Sequence, residues 1–208
     1  MAKIIVLAKS IKLGGTCIAG IDYDTHEWIR PIRKGDAKSL PSRLSMNLLD
    51  IVDIQFLNEK PHIKYQKENR FIDLDKEWRL VGKVEPEYIE RYCENTKMIL
   101  HSNTAEVDPK ELDALPFEKW ISLMLIKPEE IHFNDDRFRA KHWRAFIQYN
   151  NNSYDMKITD LDVCNKLNRG EEINHNCALT ISLPSPWVPP SGKKEVKCYK
   201  LIAGLIEI

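Results

Sequence analysis

Neither sign of charge prevails in this chain: 31 lysines and arginines face 31 aspartates and glutamates in 208 residues. A polybasic arm, an acidic tail and a uniformly positive surface are thereby excluded as the basis of function. Long apolar runs are lacking as well. The best uncharged stretch, Ile121 to Ile126, falls far short of the ~18 residues that a membrane span requires, so no membrane contact is expected. Ile4 to Ala8, followed by Lys9 and Lys12, is too short for the apolar part of a signal peptide and reads as a first strand. The five cysteines, Cys17, Cys93, Cys164, Cys177 and Cys198, are odd in number and never form Cys-x-x-Cys. Buried thiols in a reducing cytoplasm are the expectation.

Catalytic signatures are also missing. The six histidines include no H-E-x-x-H, and His175-Asn176-Cys177 is an isolated H-x-C, so no zinc site is expected. Gly14-Gly15 follows a strand but fits neither nucleotide-loop pattern, and there is no G-x-S-x-G elbow. Glu195-Val196-Lys197 has the E-x-K shape of a metal-dependent nuclease. Metal-assisted hydrolysis needs at least two placed carboxylates, and no aspartate stands at a convincing strand end shortly before it. The expectation is therefore a non-enzymatic chain without metal or cofactor, with a cryptic hydrolase around Glu195 and Lys197 as the outlying alternative.

What is present is a globular composition, 43% hydrophobic, of a length suited to one or two domains. Short apolar or alternating segments read as strands at Ile4–Ala8, Thr16–Tyr23, Glu27–Arg33 and Asp50–Leu57, with Pro31 expected at a strand end or an edge because it has no N–H to donate. Tyr88, Ile89, Tyr92, Cys93 and Ile99 predict one amphipathic helix over 86–100, and Asp108-Pro109-Lys110-Glu111 starts a second, short one. Strands then resume at 122–126, 131–133, 137–149, 154–158, 178–183 and 199–206, with a helix capped by Asp160 among them. This pattern predicts a mainly β fold with a few helices. The expected units are a small barrel over 1–84, a helical connector over 85–118 and a second barrel over 119–208.

Overall neutrality conceals local excess. Residues 1–43 hold eight lysines and arginines against four acids, and within them Trp28, Arg30 and Arg33 share the Trp-Ile-Arg-Pro-Ile-Arg-Lys segment. A second constellation runs from Arg137 to Tyr149. There Arg139, Lys141 and Trp143 alternate onto one strand face, with Arg144, Phe138 and Phe146 on the other. Lysine and arginine beside an aromatic suit a single-stranded nucleic acid, the cations following phosphates while a ring stacks a base for ~1–3 kcal/mol. The same alternation equally suits a half-buried strand whose phenylalanines are core. Lys193, Lys194, Lys197 and Lys200 around Tyr199 form a third basic stretch. The candidate nucleic-acid-binding set is thus Trp28, Arg30, Arg33, Arg139, Lys141, Trp143, Arg144, Lys197 and Tyr199.

Ile5-Val6-Leu7-Ala8-Lys9-Ser10, Cys17-Ile18-Ala19-Gly20, Trp28-Ile29-Arg30-Pro31, Leu179-Thr180-Ile181-Ser182-Leu183 and Cys198 through Gly204 together resemble the bacterial dual OB-containing domain family. The resemblance spans nearly the whole chain. It implies two tandem OB-type barrels, an association with bacterial conflict or defence systems and a nucleic-acid-binding role, and it brings no catalytic residues; with the basic-aromatic segments above, the leading expectation is a non-catalytic module for single-stranded DNA or RNA. A nucleotide-ligand sensor, or an adaptor for a partner protein using a cleft between the barrels, is the alternative.

Overall fold

The computed structural model describes residues 2–12, 15–35, 40, 46–135, 142–188 and 195–208. The first barrel grows from β1 (Ala2–Lys12), whose apolar run is buried on both sides. Ile4 and Val6 join Ile18, Ile29, Val52, Ile54 and Ile72 in the barrel interior, while Ile5 and Leu7 point outward into a separate apolar cluster. β2 (Gly15–Asp22) lies antiparallel to β1, and β3 (Trp28–Ile32) continues the meander. Between β2 and β3, Asp22 Oδ1 accepts from the backbone N–H groups of Asp24 and Thr25 at 2.9 and 2.8 Å, fixing the tight turn.

β4 (Asp50–Ile54) pairs with the other edge of β1; β5 (Asn69–Phe71) runs parallel to β3; β6 (Arg79–Lys83) lies antiparallel to β4. A bridge between Phe56 and Ile72 joins the ends of β4 and β5 and closes the barrel. β5 and β6 are therefore two halves of one fifth strand, the first on β3 and the second on β4, and the barrel order is 1-2-3-5-4-1. Pro31 lies inside β3. The β2–β3 register ends at the Gly20–Ile29 pair, so the side where an N–H is missing has no partner strand to disappoint, while Arg30 N donates to Glu68 O on the other.

The middle of the chain departs from the expected helix over 86–100. A 3-10 helix spans only Pro86–Tyr92, because Cys93 turns extended and Glu94 N donates to Leu125 O at 2.8 Å, a tertiary bond that overrides helical continuation. β7 (Glu106–Val107) and α1 (Pro109–Asp113) follow, with Asp108 capping α1 by accepting from Lys110 N.

In the second barrel β8 (Leu123–Ile126) and β9 (Glu130–Asp135) are the two halves of a first strand, followed by β10 (Trp143–Tyr149) and β11 (Asn152–Ile158). The expected strand over 137–149 begins at Trp143 among the described residues; residues 136–141 lie outside them. Next come α2 (Leu161–Asn168), β12 (Cys177–Ser182), β13 (Cys198–Tyr199), which pairs with β7, and β14 (Leu201–Glu207). β9, β10 and β11 form a meander, β11 is parallel to β14, β14 pairs with β12, and β12 returns to β8. This repeats the 1-2-3-5-4-1 order, with α2 between the third and fourth strands. Asp160 fixes that helix: Oδ1 accepts from Asp162 N and Val163 N, and Oδ2 accepts from Leu205 N at 3.1 Å, tying the cap to β14.

Lys200, part of the third basic stretch, is buried. Its Nζ donates to Ser102 O, Ser102 Oγ and Thr104 O at 2.7, 2.8 and 2.6 Å, with the Tyr154 ring 4.9 Å away. Burial pulls its pKa down to about 7, against the three oxygens that favour the ammonium form. Above that value the unfolded chain binds the proton and the folded one releases it, so stability rises with pH by at most about 1.4 kcal/mol per unit. Urea unfolding at pH 7.0 and 8.5 should show this rise, and Lys200→Met should flatten it. The window stops there because burial pushes the Cys93, Cys164 and Cys198 thiols up to about 11, which acts with the opposite sign once unfolded thiols ionise.

Candidate nucleic-acid interface

The two barrels meet through the outer face of β1, β2 and β3. Leu7 is an extra residue in β1, a bulge between the Val6–Gly20 and Ala8–Ala19 pairs, and its carbonyl turns away from the ladder. Thr180 Oγ1, from β12, donates to that carbonyl at 2.6 Å across the seam. Gly204 of β14 lies beside it, where a Cβ would stand 2.2 Å from Leu7 O. Around this point Ile5, Leu7 and Ile21 pack on Leu125, Ala178 and Ile206, and Ala8 and Ala19 pack on Leu123 and Ala203. Trp28 touches both groups.

A polar brace stands at one end of the seam. The Arg30 guanidinium lies 3.0 Å from Glu68 Oε1, and its Nη2 donates to Ser122 O and Ser182 Oγ at 3.4 and 3.3 Å. Ser122 Oγ donates to the same Glu68 oxygen. Arg30, Glu68 and Ser122 are all buried, and each barrel supplies part of the set.

Barrels of this strand order present oligonucleotides to the face of strands 2 and 3, flanked by the 1–2 and 4–5 connections. In the first barrel that face is β2 and β3, and the second barrel covers it. In the second barrel the equivalent strands are β10 and β11. Ala145, Ile147, Tyr149, Tyr154 and Met156 point inward, leaving Arg144, Phe146, Gln148, Ser153, Asp155 and Lys157 on the outer side. Phe146, weighed above as core, is 36% exposed, with His132 and Asp155 as its cross-strand neighbours. Arg144 Nε lies 2.8 Å from Asp155 Oδ1, and Lys157 is directly across the ladder.

The strand ends that the 1–2 and 4–5 connections join lie at the Arg144 end of this face. β9 ends and β10 begins there, and the Ile158–Ile202 and Ser182–Leu201 pairs put the end of β12 and the start of β14 at the same level. The 4–5 connection carries Trp187, 49% exposed, whose backbone N–H donates to Lys197 O and whose ring meets Tyr199 edge-on at 6.0 Å. Nothing in the residue pattern around Trp187 marks it as a site; only the fold brings it beside Tyr199.

The nine candidate residues are thus not gathered in one groove. Trp28 and Arg30 belong to the barrel seam. Arg33 is half-buried just past β3, its Nε without a partner among the described residues. Arg139 and Lys141 lie outside the described residues. Trp143 turns toward the interior, not with the outer cations, and its Nε1 donates to Asn168 Oδ1 at 3.0 Å. Arg144 is on the outer face, and Tyr199 is half-buried against Trp187. Lys197 Nζ sits 3.0 Å from Asp108 Oδ2 and 3.1 Å from Glu195 Oε2; these bonds hold its pKa above the usual lysine range. So E-x-K does acquire an aspartate neighbour, but the lysine already occupies the space between the acids and Asp108 caps α1. No cluster of three or more metal-ligating side chains occurs among the described residues, and no helix among them is long and apolar enough to cross a membrane.

Two five-stranded barrels of OB order, docked face to wall, define a protein of the dual OB class, a fold type used for nucleic-acid binding. The dual OB-containing domain family matches residues 2–205, and the chain belongs to that family. No curated protein and no solved structure matches the chain.

Proposed function

We propose that the chain is a non-catalytic module that binds single-stranded DNA or RNA on the outer face of β10 and β11, within a bacterial conflict or defence system as the family resemblance implies. The observation that carries this reading is the asymmetry of the barrels: one strand 2–3 face is closed by docking and the other is open, with Arg144, Lys157 and Phe146 on it. Trp187 stands near its Arg144 end, in the 4–5 connection. Zero net charge makes the contact local and sensitive to ionic strength, with log affinity falling by about 0.7 per phosphate contact for each tenfold rise in salt.

Fluorescence anisotropy with a labelled oligonucleotide tests it. Arg144→Glu should weaken binding about tenfold or more at low salt, whereas Asp155→Asn, which frees Arg144 from its acid, should tighten it about two- to threefold. Undetectable binding of the wild-type chain at low salt, or an Arg144→Glu variant that binds as well as wild type, removes the proposal.

A further inference from the structure

A cleft of about 320 Å³ opens at the seam between the barrels, separate from the β10–β11 face. One wall is the end of the β2–β3 turn and the start of β3, with His26, Glu27 and Trp28; the other is β5 and the residues before it, with Arg70 and Lys67. Ile121 and Leu123 of the second barrel complete it, and the buried Glu68–Ser122 pair forms its base. We propose that this cleft binds a nucleoside monophosphate.

Three features point to that class. The first is size: the volume lies at the small end of ligand sites, room for one nucleotide but not for a strand. The second is the placement of cations. Lys67 Nζ spends one donor on Glu118 O. Arg70 Nη1 donates to Lys67 O and Asn69 O at 2.9 Å each, which fixes the guanidinium plane while its other nitrogens make no hydrogen bond among the described residues. A rigid arginine fork beside a lysine with donors to spare is the donor set a phosphate monoester takes.

The third feature is the opposite wall. Trp28 is half-buried, and its indole N–H donates to no acceptor among the described residues, so the ring offers both an apolar face and an unused donor. His26 is held beside it with φ of 61°, its ring edge-on to Tyr92 at 5.4 Å. Glu27 is exposed at the rim and can accept from the amino or imino groups of a base. Cations on one side and an aromatic with a carboxylate on the other match the two ends of a nucleotide. Neither inorganic phosphate nor a free nucleoside would use both.

Isothermal titration calorimetry of the full chain with AMP, GMP, CMP and UMP separately tests this, with inorganic phosphate and the free nucleosides as further arms. At least one nucleotide should bind about tenfold more tightly than either phosphate or its nucleoside. Lys67→Glu should weaken that binding about tenfold or more while the ligand-free melting temperature stays within about 2 °C. Lys67→Gln, which keeps a donor for Glu118 O, should give an intermediate loss and serves if the glutamate variant does not fold. Arg144→Glu, on the other face, should leave nucleotide binding unchanged whatever it does to oligonucleotides. The proposal is overturned if no nucleotide binds at about 10 mM, if phosphate alone binds as well, if the folded Lys67 variant binds like wild type, or if Arg144→Glu abolishes binding.

Discussion

Gly204→Ala is expected to lower the melting temperature by about 6–12 °C, the equivalent of about 3 kcal/mol in a chain of this length. The backbone imposes this, not side-chain repacking. The new Cβ would lie 2.2 Å from Leu7 O and 3.2 Å from Ala8 Cα, and neither atom belongs to a side chain that can rotate away. Either β14 lifts from β1, separating the Ile5–Leu7 side of the first barrel from Leu125, Ala178 and Ile206, or the bulge in β1 is forced flat. Both routes break the Thr180–Leu7 hydrogen bond. Gly82→Ala is the matched control: its Cβ meets only Ile51 Cδ1, at an ordinary 3.5 Å, and its effect should stay within about 1 kcal/mol. Thermal unfolding of the two variants side by side decides the matter. Equal effects would mean that the seam yields freely at Gly204 and that the docking described here is soft.

Arg30→Met should cost about 3–5 kcal/mol, because it leaves the Glu68 carboxylate buried without its cation. Ser122 Oγ still donates to that carboxylate, but one neutral hydroxyl does not replace a guanidinium at 3.0 Å. The double substitution Arg30→Met with Glu68→Leu should recover most of the loss, since an apolar pair of similar volume removes both desolvation penalties. Chemical denaturation of the two single variants and the double one gives the coupling directly. A loss below about 1 kcal/mol for Arg30→Met would show that the guanidinium does not brace the barrels.

These two positions show where reading the sequence succeeds and where it stops. Alternation and apolar runs located β1, β2, β10, β11, β12 and β14, and the Asp108 and Asp160 caps stand where their sequences put them. β5 and β6 escaped notice for a physical reason: one is three residues of Asn-Arg-Phe, and the other is exposed along most of its length, so neither carries a core-facing rhythm. The Trp-Ile-Arg-Pro segment was legible as an unusual element, but not its role. A tryptophan and an arginine on one strand face look the same whether that face meets nucleic acid or a second barrel. Lys200 reads as one more lysine of a basic stretch, because the oxygens that surround it come from residues 102–104, nearly a hundred positions earlier in the chain. In β10 the alternation was visible, yet its polarity was misjudged: Trp143 lies inward, and Phe146 stands outside with Arg144.

On the function proposed above, the covering of β2 and β3 by the second barrel would also set how much nucleic acid one molecule can occupy. An OB barrel spans about 4–16 nucleotides, and two barrels strung along a strand would double that length. With one face shut, the stoichiometry belongs to a single barrel. A titration against oligonucleotides of increasing length should therefore reach its tightest binding within one barrel's span, and longer strands should recruit further molecules instead of a second grip from the same one.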